Sequence, residues 1–203
     1  MPIQKTDKEE VIAGALELFR RQGYQRTTMA DISAACGLLR GSLYHYFPSK
    51  EDLAEEAMGH VDTLFKDTIF SIAEDETASP TARLARMGAA TEAYFTARRG
   101  GCLIGNLALE TLDTIPEFRP LIRRYFERWI TAYAHIYAAG GMSPRAARAE
   151  GRKAVALIQG ALMMSRVFED TSALQDAMMK LSKHPPTPEN EVEEARNRDL
   201  KQN

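Results

Sequence analysis

TTMADISAACGLLRGSLYHYFPSKEDL, residues 27–53, decides how this chain folds. Thr28 has the position of an N-cap, with Asp31 three residues on to complete a capping box. Met29, Ile32 and Cys36 then give a short helix one apolar face, which reads as core, and Gly37 ends it. A second short helix covers about Arg40 to Phe47, where Pro48 stops it. Ser49 caps a longer helix, again with an acid three residues on, Asp52.

On a helical wheel at about 100° per residue, the second short helix divides cleanly. Leu39, Leu43, Tyr46 and Phe47 fall on one side, with Leu43 and Phe47 as anchors and Tyr46 at the margin. Arg40, Gly41, Tyr44 and His45 fall on the other. Arg40 can donate two parallel hydrogen bonds to a guanine edge or hold a phosphate. Gly41 lets backbone approach closely, and Ser42 in the first turn can bond phosphate or base. Two short helices joined at a glycine, the second presenting its N-terminal end, have the geometry of a helix-turn-helix.

Outward from this stretch, almost everything reads as helix. Spans of about 7–22, 50–73, 81–98, 103–112, 116–139, 144–168 and 171–183 carry stripes at helical spacing. Residues 74–80, EDETASP, form the clearest loop. The polar segment 184–203, with prolines at its start, is expected to be disordered. The fold class is therefore all-α. An N-terminal three-helix helix-turn-helix domain, 1–50, leads into an all-helical domain, 51–183.

Bulk properties narrow the function classes. The 203 residues are 44% hydrophobic and 27% charged, ordinary for a globular protein. No window is apolar enough for a membrane helix, and the N-terminus lacks a signal-peptide core, so no membrane is expected and the cytoplasm is the default location. Net charge is −2; seven bases face five acids up to Lys50, so any nucleic-acid argument must rest on local geometry. Two cysteines form no zinc spacing, and His60, His135 and His184 have no second ligand at metal-like spacing, so no metal is expected. No nucleophile–base–acid constellation or cofactor loop suggests an enzyme, and no cofactor is expected.

Residues 27–53 closely resemble the DNA-binding segment of the TetR/AcrR family of transcriptional regulators, whose pattern runs roughly T-x-x-D-I-A-x-x-A-G-V-S-x-G-x-x-Y-x-Y-F-x-x-K-E-x-L. The strict match covers about 45 residues. The resemblance implies that Thr28 and Met29 touch the DNA backbone and that Arg40, Gly41 and Ser42 read bases. It implies phosphate or base contacts for Tyr44 and His45, and a phosphate-binding role for Lys50. Ser33, Cys36 and Leu39 depart from the pattern. Leu39 replaces a serine cap, a loss of about 1 kcal/mol.

Phe118, Ile122, Tyr125, Trp129, Tyr133 and Ile136 form an aromatic stripe along one helix. It is either a packing face or the wall of an effector pocket, for which Tyr125, Trp129, Tyr133 and Met163 are candidates. Cys102 follows two glycines at a helix start beside Arg98 and Arg99, features that stabilise a thiolate. It is a candidate sensor thiol, or simply a small buried residue. Residues 154–168, AVALIQGALMMSRVF, are apolar nearly all round. A helix of that kind suggests a subunit interface, with Leu157, Gly160, Ala161, Met164 and Phe168 as candidates. The resemblance agrees, since the family generally dimerises through its last two long helices.

These features together lead to a homodimeric transcription regulator on a near-palindromic double-stranded DNA operator. Repression, released by a small-molecule or electrophilic effector, is the first expectation. An activator, or a protein-interaction module built on the same N-terminal unit, is the alternative.

Overall fold

The structure, a computed structural model, describes residues 7–98 and 100–183; the tail expected to be disordered lies outside them. Among the described residues there are nine α-helices and no strand. They are α1 (Lys8–Gln22), α2 (Met29–Ala35), α3 (Arg40–Tyr46), α4 (Lys50–Thr68), α5 (Pro80–Thr96), α6 (Leu103–Thr111), α7 (Arg119–Ala139), α8 (Pro144–Phe168) and α9 (Ser172–Lys183). The helix expected to reach residue 73 stops at Thr68, and a 3-10 turn, Phe70–Glu74, follows it. Another 3-10 turn, Pro116–Phe118, precedes α7.

Short caps set the element ends. Asp7 accepts from the Glu10 N–H at 2.8 Å and starts α1. Thr28 and Asp31 form the expected box: the Asp31 N–H donates to Thr28 Oγ1 at 3.2 Å, and the Thr28 N–H to Asp31 Oδ2 at 2.8 Å. The Thr28 hydroxyl and then its N–H hold the Asp31 carboxyl below its usual pKa, with a smaller contribution from the Arg40 charge. Ser49 caps α4 by accepting from the Asp52 N–H at 3.0 Å. Pro144 stands in the first turn of α8, after the cap Ser143.

The described residues divide into two compact units, one within Met1–Leu64 and Arg98–Tyr125, the other within Phe65–Ala97 and Phe126–Asn203. These divisions do not coincide with a boundary at 50/51: the first unit runs on to Leu64, inside α4, and takes in α6, which packs on α1. Three local contacts account for that grouping. Gly100, at φ 103°, lets the chain approach α1 so closely that an added Cβ would lie 2.7 Å from the Arg20 carbonyl oxygen. Glu110 on α6 accepts from the Gln25 N–H at 3.0 Å, and its backbone carbonyl accepts from Gln25 Nε2 at 3.3 Å. Tyr24 lies edge-on to Phe118 at 5.7 Å and against Phe19 at 5.4 Å.

The core of the first unit is built from Val11, Leu16 and Phe19 of α1, Ile32 of α2, Leu43 and Phe47 around α3, and Leu53 and Ala57 of α4. In the second unit, α9 packs on α5 and α8. Its core holds an aromatic cluster in which Phe65 meets Tyr94 at 4.6 Å, Trp129 at 5.5 Å and Phe70 at 5.7 Å. Arg83 is buried there, donating to the Ala73 carbonyl at 3.1 Å and the Ala78 carbonyl at 2.9 Å. Those bonds satisfy a buried guanidinium that would otherwise be costly.

Candidate nucleic-acid interface

The third helix is amphipathic over only two turns. Leu43 and Phe47 are fully buried, Tyr46 is half-buried, and Arg40, Gly41, Ser42, Tyr44 and His45 are exposed. An added Cβ on Gly41 would meet nothing within 4 Å, so the surface there is open. Leu39 departs from its expected place. The wheel put it with the buried side chains, yet it is 80% exposed. The reason is that Leu39 is the N-cap, with extended backbone at φ −69° and ψ 144°, so helical angles do not apply to it. It makes no side-chain cap hydrogen bond.

The exposed face of α3 adjoins an open groove of about 450 Å³ lined by Gln25, Thr27, Thr28, Met29, Ala30, Arg40, Tyr44 and Lys50. Five of the eight residues assigned to DNA contact therefore share one concavity. Gly41, Ser42 and His45 are exposed on α3 but are not among its lining. The groove also includes Gln25, Thr27 and Ala30, which the sequence reading missed. Gln25 is in the turn between α1 and α2, where no periodic signal marks a side chain for one face.

Two assigned residues have further duties. Met29 is buried at 8% exposure, so chiefly backbone, not side chain, is available to a ligand at the start of α2. Lys50 Nζ donates to the carbonyl oxygens of Tyr24 and Thr27, each at 3.1 Å, and stands 4.1 Å from the centroid of the Tyr24 ring. Two of its three donors thus hold the α1–α2 turn in place, while its charge lies on the groove wall. Burial lowers its pKa. The Tyr24 hydroxyl donates to Glu51 Oε1 at 2.9 Å, and burial raises its pKa.

Of the residues assigned to sensing, Tyr125, Trp129 and Tyr133 lie along one face of α7, Cys102 caps α6 and Met163 is on α8. Cys102 and Tyr125 belong to the first unit, and Trp129, Tyr133 and Met163 to the second. Cys102 is buried at 4% exposure and caps α6, its Sγ accepting from the Gly105 N–H at 3.4 Å. Tyr125, Trp129 and Tyr133 are buried, and Tyr133 stacks on Tyr137 at 6.0 Å. Met163 is 61% exposed and does not join them, because it lies on the outward face of α8, whose buried face carries Ile158, Ala161 and Leu162. Cys36, expected in the core, is half-buried as the C-cap of α2, and burial raises its thiol pKa.

Of the interface candidates, Gly160, Met164 and Phe168 are exposed and Leu157 is half-buried. Ala161 is buried at 7% exposure inside its own unit, one step round the helix from Gly160, and is not available to a partner. Exposed Met163 and Val167, at 61% and 64%, complete a stripe with Gly160, Met164 and Phe168 at the 3–4 residue spacing of one helix face. No helix of the described residues is long and apolar enough to cross a membrane, and no cluster of His, Cys, Asp or Glu among them could hold a metal ion.

Comparison with known proteins shows what the chain is similar to. Residues 11–57 match the family described as bacterial regulatory proteins, tetR family, and residues 80–180 match the transcriptional regulator LmrA/YxaF-like C-terminal domain. The HTH-type transcriptional regulator Rv0196 of Mycobacterium tuberculosis is 30% identical over 178 residues, covering 82% of this chain and 88% of that protein. The HTH-type transcriptional repressor DhaR of a Mycobacterium species is 29% identical over 126 residues, covering 62% of this chain and 63% of its own. In fold, a TetR transcriptional regulator from Legionella pneumophila superposes with a TM-score of 0.81 at 21% identity, over 90% of this chain and 98% of that one. The chain belongs to the TetR family of helix-turn-helix transcriptional regulators.

Proposed function

We propose that the protein is a cytoplasmic homodimeric repressor. In this reading the α3 face of Arg40, Gly41, Ser42, Tyr44 and His45 enters the major groove of a near-palindromic operator, while Thr28 and the backbone at Met29 meet the flanking phosphates. The observation that carries the reading is the exposed α3 face, held down by Leu43 and Phe47 and continuous with the groove at Thr28 and Lys50. Relatives named as repressors favour repression over activation. Selection of operators from a random duplex pool by the purified full chain tests it. The expected outcome is one enriched sequence with two-fold symmetry, whose affinity falls steeply with salt. Enrichment of no sequence would rule out operator reading and favour a protein-interaction module.

Dimerisation would use the stripe on α8. Gly160, Met163, Met164, Val167 and Phe168 present an apolar face at helical spacing. Contiguous exposed apolar surface of this kind marks an interaction site. Phe168→Glu is expected to shift the protein from dimer to monomer at micromolar concentration in sedimentation equilibrium, with helical content retained. A dimer as tight as the original would remove α8 from the interface.

Release from the operator is assigned to a small molecule bound in the C-terminal domain, which shifts the dimer between DNA-competent and incompetent states. Trp129 and Tyr133, the candidate wall residues, are buried, so a ligand would reach them only as neighbouring side chains move apart. Modification of Cys102 is the second route. Its Sγ accepts a backbone N–H at the start of α6, and its 4% exposure limits access to reagents. A Cys102→Ser protein that still leaves its operator on mild oxidation would eliminate that route.

A further inference from the structure

Leu39 is an apolar side chain, 80% exposed, at a helix N-cap where Ser, Thr, Asp or Asn would satisfy a backbone donor. An exposed leucine elsewhere on a surface is unremarkable in energetic terms. This one forgoes a cap and stands immediately before Arg40, Gly41 and Ser42, all exposed. Its extended backbone keeps it outside the first turn of α3, at the end of the helix that the functional proposal places in the major groove. The hydrogen-bonding groups in this neighbourhood are already supplied by Arg40, Ser42 and Tyr44. What Leu39 adds is apolar surface alone.

The major groove carries one apolar feature, the C5-methyl group of thymine, and apolar side chains recognise it by contact. Resting on the functional reading above, we propose that Leu39 is a specificity-determining residue that packs on the methyl group of a thymine in each half-site, beside the base pair met by Arg40. The contact removes both apolar surfaces from water, so its strength follows from the methyl group that is buried. A phosphate or sugar contact at this position would use the cap hydroxyl that this chain lacks.

The test uses the full chain and the operator duplex recovered by random-pool selection. Each thymine is replaced singly by deoxyuridine, which deletes the methyl and leaves pairing intact. One replacement per half-site is expected to weaken binding of the unaltered protein about fourfold, the effect of one buried methyl-sized group. Leu39→Ala is expected to bind the unmodified operator more weakly and to be indifferent to that same replacement. Selection with Leu39→Ser, which restores a cap, is expected to return operators without a preference for that thymine. Circular dichroism checks that both variants remain folded. If no thymine is sensitive to replacement, or Leu39→Ala keeps the full penalty, the inference is overturned. If the pool yields no operator at all, the DNA-reading proposal fails first and takes this inference with it.

Discussion

Phe47→Ala is expected to destabilise the reading head by about 3–5 kcal/mol, the range for truncating a buried phenylalanine. Its ring is 1% exposed and its backbone N–H donates to the Leu43 carbonyl at 2.9 Å, so it anchors the end of α3 both by side chain and by backbone. Lys8 Nζ stands 5.2 Å from the ring centroid, adding a weak cation–π contact from α1. A loss of that size is a large part of the stability of a small domain, about 5–15 kcal/mol in total. Urea denaturation followed by circular dichroism should show an early transition for Phe47→Ala that Phe47→Leu largely avoids. Operator binding should fall with it, because α3 is held by little besides Leu43 and Phe47. An unchanged unfolding profile would show that α3 is held by other residues.

Arg40→Ala is expected to act in the opposite register: stability unchanged, operator affinity reduced by about 1–3 kcal/mol and preference at one base pair relaxed. Arg40 is exposed and borders the groove with Thr28 and Tyr44, so removing it leaves no cavity and no buried partner unsatisfied. Arg40→Lys should rescue little of the specificity, because an ammonium cannot make the paired donation of a guanidinium to a guanine edge. Fluorescence anisotropy against the selected operator and a scrambled duplex separates the two effects. Equal affinity of Arg40→Ala and the unaltered protein for the operator would remove Arg40 from the reading face.

The contrast between those two residues explains what was legible in the sequence. Leu43, Phe47 and Arg40 could be sorted by periodicity because they lie within one helix, and caps at Thr28 and Ser49 could be placed because each depends on residues three apart. The full span of α8 was legible for the same reason, bounded by Ser143 and Pro144 at one end and the loss of apolar spacing at the other. Leu39 was misplaced because it lies one residue outside the helix whose wheel it was drawn on. Lys50 has a further duty that its place in the motif does not reveal: its bonds to the carbonyls of Tyr24 and Thr27 depend on a turn 23–26 residues away. The grouping of α6 with the reading head rests on Glu110 and Gln25, 85 residues apart, and on the approach of Gly100 to α1. Nothing local in a sequence encodes such a contact. Met163 was assigned inward by its polarisable character, whereas it lies on the exposed face of α8.

The central claim is that the exposed face of α3 reads base edges in the major groove. Methylation interference on the selected operator addresses it most directly, because a methyl group at guanine N7 blocks the major-groove edge and leaves the minor groove untouched. Methylation at one or more guanines in each half-site should abolish binding of the unaltered protein, and the Arg40→Ala protein should lose sensitivity at one of them. A bound operator on which no guanine N7 methylation interferes would contradict the account.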